Sequence, residues 1–202
     1  MRLAPGKSDS NKRVGCHWLS ADLPQALTTL LSPAPKRVAL IGSGNWASAI
    51  ALILGKNTKT QPEFEDEVRM WVHEEEIEGR KLTEIINSEH ENVKYLPGKK
   101  IPENIIADPD VSSATKSADI LVICMPHQYL SGLGERIRES VSPGCIAISL
   151  VKSIVFDDDG MHQISELLKK DLGGMDVSVL MGANIANEVS ETRLDESLRR
   201  GV

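Results

Sequence analysis

Gly42, Gly44 and Ala47 stand at the spacing G-x-G-x-x-A, inside the run K-R-V-A-L-I-G-S-G-N-W-A-S-A-I that spans Lys36 to Ile50. These residue types at that spacing can hold the pyrophosphate of a dinucleotide. Gly42 permits a tight strand-to-helix turn. Gly44 puts no side chain in a phosphate's path, and Ala47 lets the new helix lie close to the strand. Amides at the helix start would then face the phosphates, aided by the helix dipole. A tight turn that binds nothing would use the same glycines, so the pattern alone leaves that reading open. Context favours the dinucleotide, because a β-branched run precedes the glycines, a helical pattern follows, and further strand–helix units come after. Two other clusters carry less. His73-Glu74-Glu75 lacks the second histidine of H-E-x-x-H, and Asp157-Asp158-Asp159-Gly160 lacks the further ligands of a calcium loop and reads as a solvated turn. No metal site is expected.

The elements that must position the glycine loop are legible from apolar spacing. A helix is predicted over residues 48–56 with Ile50, Ile53 and Leu54 on one face, then a polar loop through residue 66. Residues 67–72 read as a second strand and 74–87 as a second helix carrying Ile77, Leu82, Ile85 and Ile86. A loop over 92–98 leads to a short strand at 105–107 and a short helix at 112–117. Residues 119–125 (D-I-L-V-I-C-M) and 145–151 (C-I-A-I-S-L-V) are continuous apolar runs, the mark of strands buried on both faces. Helices are predicted over 128–139 and 161–171, and a last strand over 177–181. Alternating strands and helices without an internal repeat predict an α/β fold, a Rossmann-type doubly wound, mostly parallel sheet, over residues 36–190. A ribose-binding carboxylate is then expected past the second strand, where Glu74 and Glu75 follow Val72. The same glutamates could simply seed the second helix. Either way, the acidic locality disfavours a 2′-phosphate and favours NAD over NADP.

Bulk properties narrow the class. The 202 residues suffice for one substantial domain, and 41% hydrophobic with 26% charged residues is ordinary for a globular protein. A net charge of -6 argues against a general nucleic-acid binder. Cys16, Cys124 and Cys145 form no C-x-x-C, and the last two lie in apolar runs where a thiol acts as a small hydrophobe. A reducing, intracellular compartment fits best. No stretch reaches the roughly 20 apolar residues of a membrane span. Residues 1–35 mix basic and acidic groups with Pro5, Pro24, Pro33 and Pro35, and read as a flexible extension. An organellar transit peptide is the alternative.

In order along the chain stand G-S-G-N-W-A-S-A, M-W-V-H-E-E-E, K-L-T-E-I-I-N, H-E-N-V-K-Y-L-P-G, M-P-H-Q-Y, S-L-V-K-S and V-L-M-G-A-N-I-A-N-E-V. These motifs closely resemble the NAD-dependent glycerol-3-phosphate dehydrogenases of the eukaryotic cytosolic type, over residues 36 to about 191. The resemblance implies hydride transfer between NADH and dihydroxyacetone phosphate or sn-glycerol 3-phosphate, a cytoplasmic location, and a homodimer at full length. It places Gly42, Ser43, Gly44, Asn45, Trp46 and Ala47 at the cofactor, with Ala47 in place of the usual third glycine. His73 stands where the family often has an aromatic near the adenine. Tyr129 and Ala186 match further cofactor contacts. Lys152 matches an active-site lysine with a substrate-binding role, and Asn184 a polar active-site residue.

The residues read independently in the same direction. Lys152 follows the end of a buried strand, the edge where ligands bind in open α/β sheets. It could attract a substrate phosphate or polarise a carbonyl oxygen as hydride adds, or stand there simply solvated. Asn184 could equally be an N-cap, and His127 could line the site or cap a helix. The resemblance breaks past Glu191. The family continues into a segment with a second active-site lysine and a long helical domain, whereas residues 191–202 diverge and no lysine follows Lys170. Three readings follow. One is a partial glycerol-3-phosphate dehydrogenase sequence. The second is a nonenzymatic NAD(H)-binding module or inactive partner of a full-length subunit. The third, another two-domain dehydrogenase of the 3-hydroxyacyl or 6-phosphogluconate kind, is disfavoured by Lys152 and H-E-N-V-K-Y-L-P-G.

Overall fold

Strand β1 (Lys36–Ile41) is central because both its faces are apolar: Val38, Ala39, Leu40 and Ile41 are all buried. In the computed structural model, which describes residues 33–126, 129–130, 132–151, 154–157, 160–180 and 186–190, β1 pairs in parallel with β2 (Phe64–Trp71) on one side. On the other side it pairs with β6 (Ile120–Ile123). With β5 (Ile105–Asp108), β7 (Ile146–Ser149) and β10 (Asp176–Val179), the six strands run parallel in the order β10-β7-β6-β1-β2-β5. The chain builds outward from β1 through β2 to β5, then returns beside β1 and builds the opposite way. That is the doubly wound Rossmann order, and its switch point lies between β1 and β6.

Side-chain alternation sorts the core into two layers. Ala39 and Ile41 join Leu121, Ile123 and Trp71 on one face, under α3 (Val111–Ala114), α4 (Gly134–Ser140) and α5 (Ile164–Asp171). Val38 and Leu40 join Val68, Met70 and Val122 on the other, under α1 (Asn45–Thr60) and α2 (Leu82–Glu89). Helix α6 (Ala186–Ser190) packs on α1 through Val189 and Ala49.

The structure departs from the sequence expectations at several boundaries. Helix α1 begins directly at Asn45 and runs to Thr60, beyond the expected residues 48–56. Its last turns are held by buried Thr58, whose Oγ1 lies 3.0 Å from the Leu54 carbonyl and 3.1 Å from that of Asp66, so β2 also starts earlier, at Phe64. The expected second helix is split. Strands β3 (Glu76–Ile77) and β4 (Arg80–Lys81) form a hairpin, and only Leu82–Glu89 is helical. Glu78 and Gly79 take φ of 52° and 80°, the paired positive values of a tight hairpin turn, which override the helix propensity of the glutamates. Helix α4 starts at Gly134 instead of residue 128. Residues 161–163 are also not helical: β9 (Gly160–Gln163) pairs with β8 (Ile154–Asp157) before α5 begins.

Candidate functional site

At the carboxyl end of β1 the chain turns sharply. Gly42 has φ +120°, and a Cβ there would sit 2.7 Å from the Cys124 carbonyl oxygen at the end of β6. Only glycine fits that turn. Its N–H still donates to the Trp71 carbonyl (3.2 Å), extending the β1–β2 ladder by one bond. Gly44 is different: its backbone is extended (φ −67°, ψ −179°) and a Cβ would meet nothing within 4 Å. The protein's own packing therefore makes no demand for glycine here, and the missing side chain leaves room for a ligand against the backbone. Gly44 is the N-cap of the 16-residue helix α1 and, having no side chain, makes no capping hydrogen bond of its own. An uncapped helix start bordering open space suits an anion. Ala47 is fully buried between α1 and the sheet, among Val38, Leu40 and Val68. On these observations the loop fits the pyrophosphate of a dinucleotide.

The neighbouring strand ends flank this loop. Past β2, Val72 is buried and His73 is exposed, its ring centroid 6.4 Å from that of Trp71. Glu74 and Glu75, the expected ribose carboxylates, both have protein partners. Glu74 accepts from the Thr83 N–H (3.2 Å) and hydroxyl (2.6 Å), capping α2, so its helix-seeding role is realised across the hairpin. Glu75 accepts from the Tyr95 hydroxyl (2.7 Å) and pairs with Lys94. The Lys94 ammonium, and then the Tyr95 hydroxyl, hold the Glu75 carboxyl below the usual carboxylate range. Past β6, Cys124, Met125 and Pro126 close the other side, and Tyr129 presents a 60% exposed ring with its N–H on the Pro126 carbonyl (3.1 Å). Burial pushes the Cys124 thiol up to about 12, so it is no nucleophile at neutral pH. Cys145 is likewise raised, to about 11, and both cysteines are free, as small core hydrophobes should be.

Trp46 and Ala186 are half-buried in the layer between α1 and α6, packed with Ala49 and Leu96. Lys152, Asn184 and His127 lie outside the described residues, as do Cys16 and residues 191–202. Sequence reasoning missed Asn92, which is wholly buried behind the glycine loop. Its Nδ2 donates to the Ser43 carbonyl (2.8 Å) and lies 2.9 Å from Ser48 Oγ, while its Oδ1 accepts from the Tyr95 N–H (3.2 Å). The Asn45 side chain donates to the Tyr95 carbonyl (2.9 Å). The only sequence signal was the motif H-E-N-V-K-Y-L-P-G itself, since the bonds from this turn to Ser43, Ser48 and Asn45 span 44 to 50 residues along the chain.

The family model described as NAD-dependent glycerol-3-phosphate dehydrogenase N-terminus matches residues 37–196. The chain belongs to this family. Among curated members, mouse glycerol-3-phosphate dehydrogenase 1-like protein is 47% identical over 167 residues, 83% of this chain and 47% of its own length. The cytoplasmic NAD(+) glycerol-3-phosphate dehydrogenase of Rattus norvegicus is 50% identical over 164 residues, 81% of this chain and 47% of that protein. The solved structure of glycerol-3-phosphate dehydrogenase from Saccharomyces cerevisiae superposes with a TM-score of 0.73 at 44% identity, covering 78% of this chain and 44% of that one. The chain thus spans about half the length of the curated glycerol-3-phosphate dehydrogenases it matches. The family match runs to residue 196, past the expected break at Glu191. Among the described residues of this glycerol-3-phosphate dehydrogenase family member, no helix is long and apolar enough to cross a membrane.

Proposed function

We propose that this chain is the NAD(H)-binding half of a cytoplasmic glycerol-3-phosphate dehydrogenase, acting on dihydroxyacetone phosphate and sn-glycerol 3-phosphate, and homodimeric at full length. The observation that carries the reading is Gly44: an extended, side-chain-free N-cap facing open space at the switch point of a Rossmann sheet. In this reading Gly42 to Ala47 hold the pyrophosphate, with His73 toward the adenosine side and Tyr129 and Ala186 as further cofactor contacts. When bound, NADH would supply the hydride. Lys152 attracts the substrate phosphate or polarises its carbonyl oxygen as negative charge develops there, and Asn184 orients the substrate by hydrogen bonding. With Glu75 paired to Lys94, it is the carboxylate of Glu74 past β2 that makes the locality acidic and so favours NAD over NADP.

A second reading concerns the 202 residues by themselves: they bind NAD(H), or join a full-length subunit, without turning over substrate. Two measurements on the same preparation separate these readings. Fluorescence titration with NADH is expected to show saturable binding, and NADH oxidation with dihydroxyacetone phosphate to be negligible beside a complete enzyme. Turnover matching a complete enzyme overturns the nonenzymatic reading, and absence of NADH binding overturns both.

A further inference from the structure

Behind the glycine loop, the turn from Asn92 to Tyr95 ties together two of the strand ends that border the crevice. The Asn92 carboxamide anchors the Ser43 carbonyl, the Tyr95 carbonyl anchors the Asn45 side chain, and the Tyr95 hydroxyl reaches Glu75 past β2. Asn92 is wholly buried, together with the two serines it bonds, Ser43 and Ser48. A buried carboxamide is kept only where its hydrogen bonds are made, and those of Asn92 reach the Ser43 carbonyl in the loop, the Ser48 hydroxyl on α1 and the Tyr95 N–H.

The peptide geometry gives that anchoring a direction. The carbonyl and N–H of a trans peptide point opposite ways, and the structure has no cis peptide among its described residues. With the Ser43 carbonyl held inward on Asn92, the Gly44 N–H is turned outward. No described group accepts from it. The Gly44 carbonyl is fixed in turn by the Ser48 N–H (2.9 Å) and hydroxyl (3.0 Å), so both peptide planes around Gly44 are set by the protein.

We propose that Asn92 is a positioning residue for the cofactor pyrophosphate: it fixes the Ser43–Gly44 peptide so that the Gly44 N–H points at the phosphate. This rests on the NAD(H) reading above. The test uses the 202-residue chain, the variants Asn92→Ala and Asn92→Ser, and a control, Asn87→Ala. Asn87 also bonds backbone through its carboxamide, to Ala107 (2.9 and 2.7 Å), but on β5 away from the loop. Affinities for NADH, ADP and adenosine are measured by fluorescence titration and competition, alongside thermal melts. Loss of one aligned donor to a charged phosphate weakens NADH and ADP by about tenfold while adenosine, which has no phosphate, changes by less than about twofold. Asn87→Ala lowers the melting temperature but leaves all three affinities within about twofold. Should Asn92→Ala not fold, Asn92→Ser, which keeps an oxygen for the Tyr95 N–H, carries the same comparison. Parental NADH and ADP affinity in a folded Asn92 variant overturns the proposal alone, as does an equal loss of adenosine and ADP binding. Failure of the unaltered chain to bind NADH instead overturns the NAD(H) reading beneath it.

Discussion

Two glycines with a single serine between them serve opposite needs. A methyl on Gly42 would collide with the Cys124 carbonyl at 2.7 Å in a backbone conformation that L residues rarely adopt, so Gly42→Ala is expected to cost about 3 kcal/mol or more of stability. A methyl on Gly44 meets nothing and the φ is ordinary, so Gly44→Ala should fold with a loss of no more than about 1 kcal/mol, the price of a poorer N-cap. Its NADH affinity should nonetheless fall by about tenfold, because the methyl occupies the phosphate's approach. Denaturant melts with NADH titration check the pair, and parental NADH affinity in Gly44→Ala would remove the loop from the cofactor site. Both glycines were legible in the sequence, since the G-x-G-x-x-A spacing is contiguous along the chain. Asn92 was not, because a loop asparagine is unremarkable until its partners at Ser43 and Ser48 are brought beside it.

Among the elements, the buried strands were the easiest to read. Continuous apolar runs can only be strands or buried helix, and their length decided for strands at β6 and β7. The second helix was misread over its first half because glutamate favours helices, while the turn at Glu78-Gly79 commits the chain to a hairpin. That hairpin leaves Glu75 free to meet Tyr95 and Lys94, and a pH dependence follows. The folded-state Glu75 carboxyl titrates below its usual range, so its contribution to stability is present above the ordinary carboxylate pKa of about 4.3 and is lost as pH falls through the lowered value. Glu75→Gln should therefore melt about 2 °C lower at pH 7, since the pair is partly solvated, and the difference should vanish at lower pH. A constant difference between pH 7 and pH 3 would show that the ionised carboxylate is not what ties β2 to the 92–95 turn.

Taken whole, the domain depends on β1 and β6 lying side by side, because the crevice exists only where the chain reverses its direction of growth. Ile123, fully buried on β6 against Ile41, Leu121 and Ile137, holds that seam from one face. Ile123→Ala should cost about 3 kcal/mol in a urea melt, through lost burial and the cavity left behind. NADH binding should survive wherever the variant remains folded, as Ile123 supports the crevice without lining it. Collapse of binding in a folded Ile123→Ala chain would mean that the seam itself shapes the site.

By itself the sequence determined the α/β class, the glycine turn and the family, because these reside in local dihedral needs, apolar runs and contiguous motifs. Only the tertiary structure decided which groups surround that turn. Asn92 and Tyr95 reach the glycine loop, and Glu74 and Glu75 are bound to Thr83, Tyr95 and Lys94, through hydrogen bonds that close only when distant segments pack. Hydrogen bonding acts over about 3 Å, and no spacing along a chain encodes a distance that the fold alone creates.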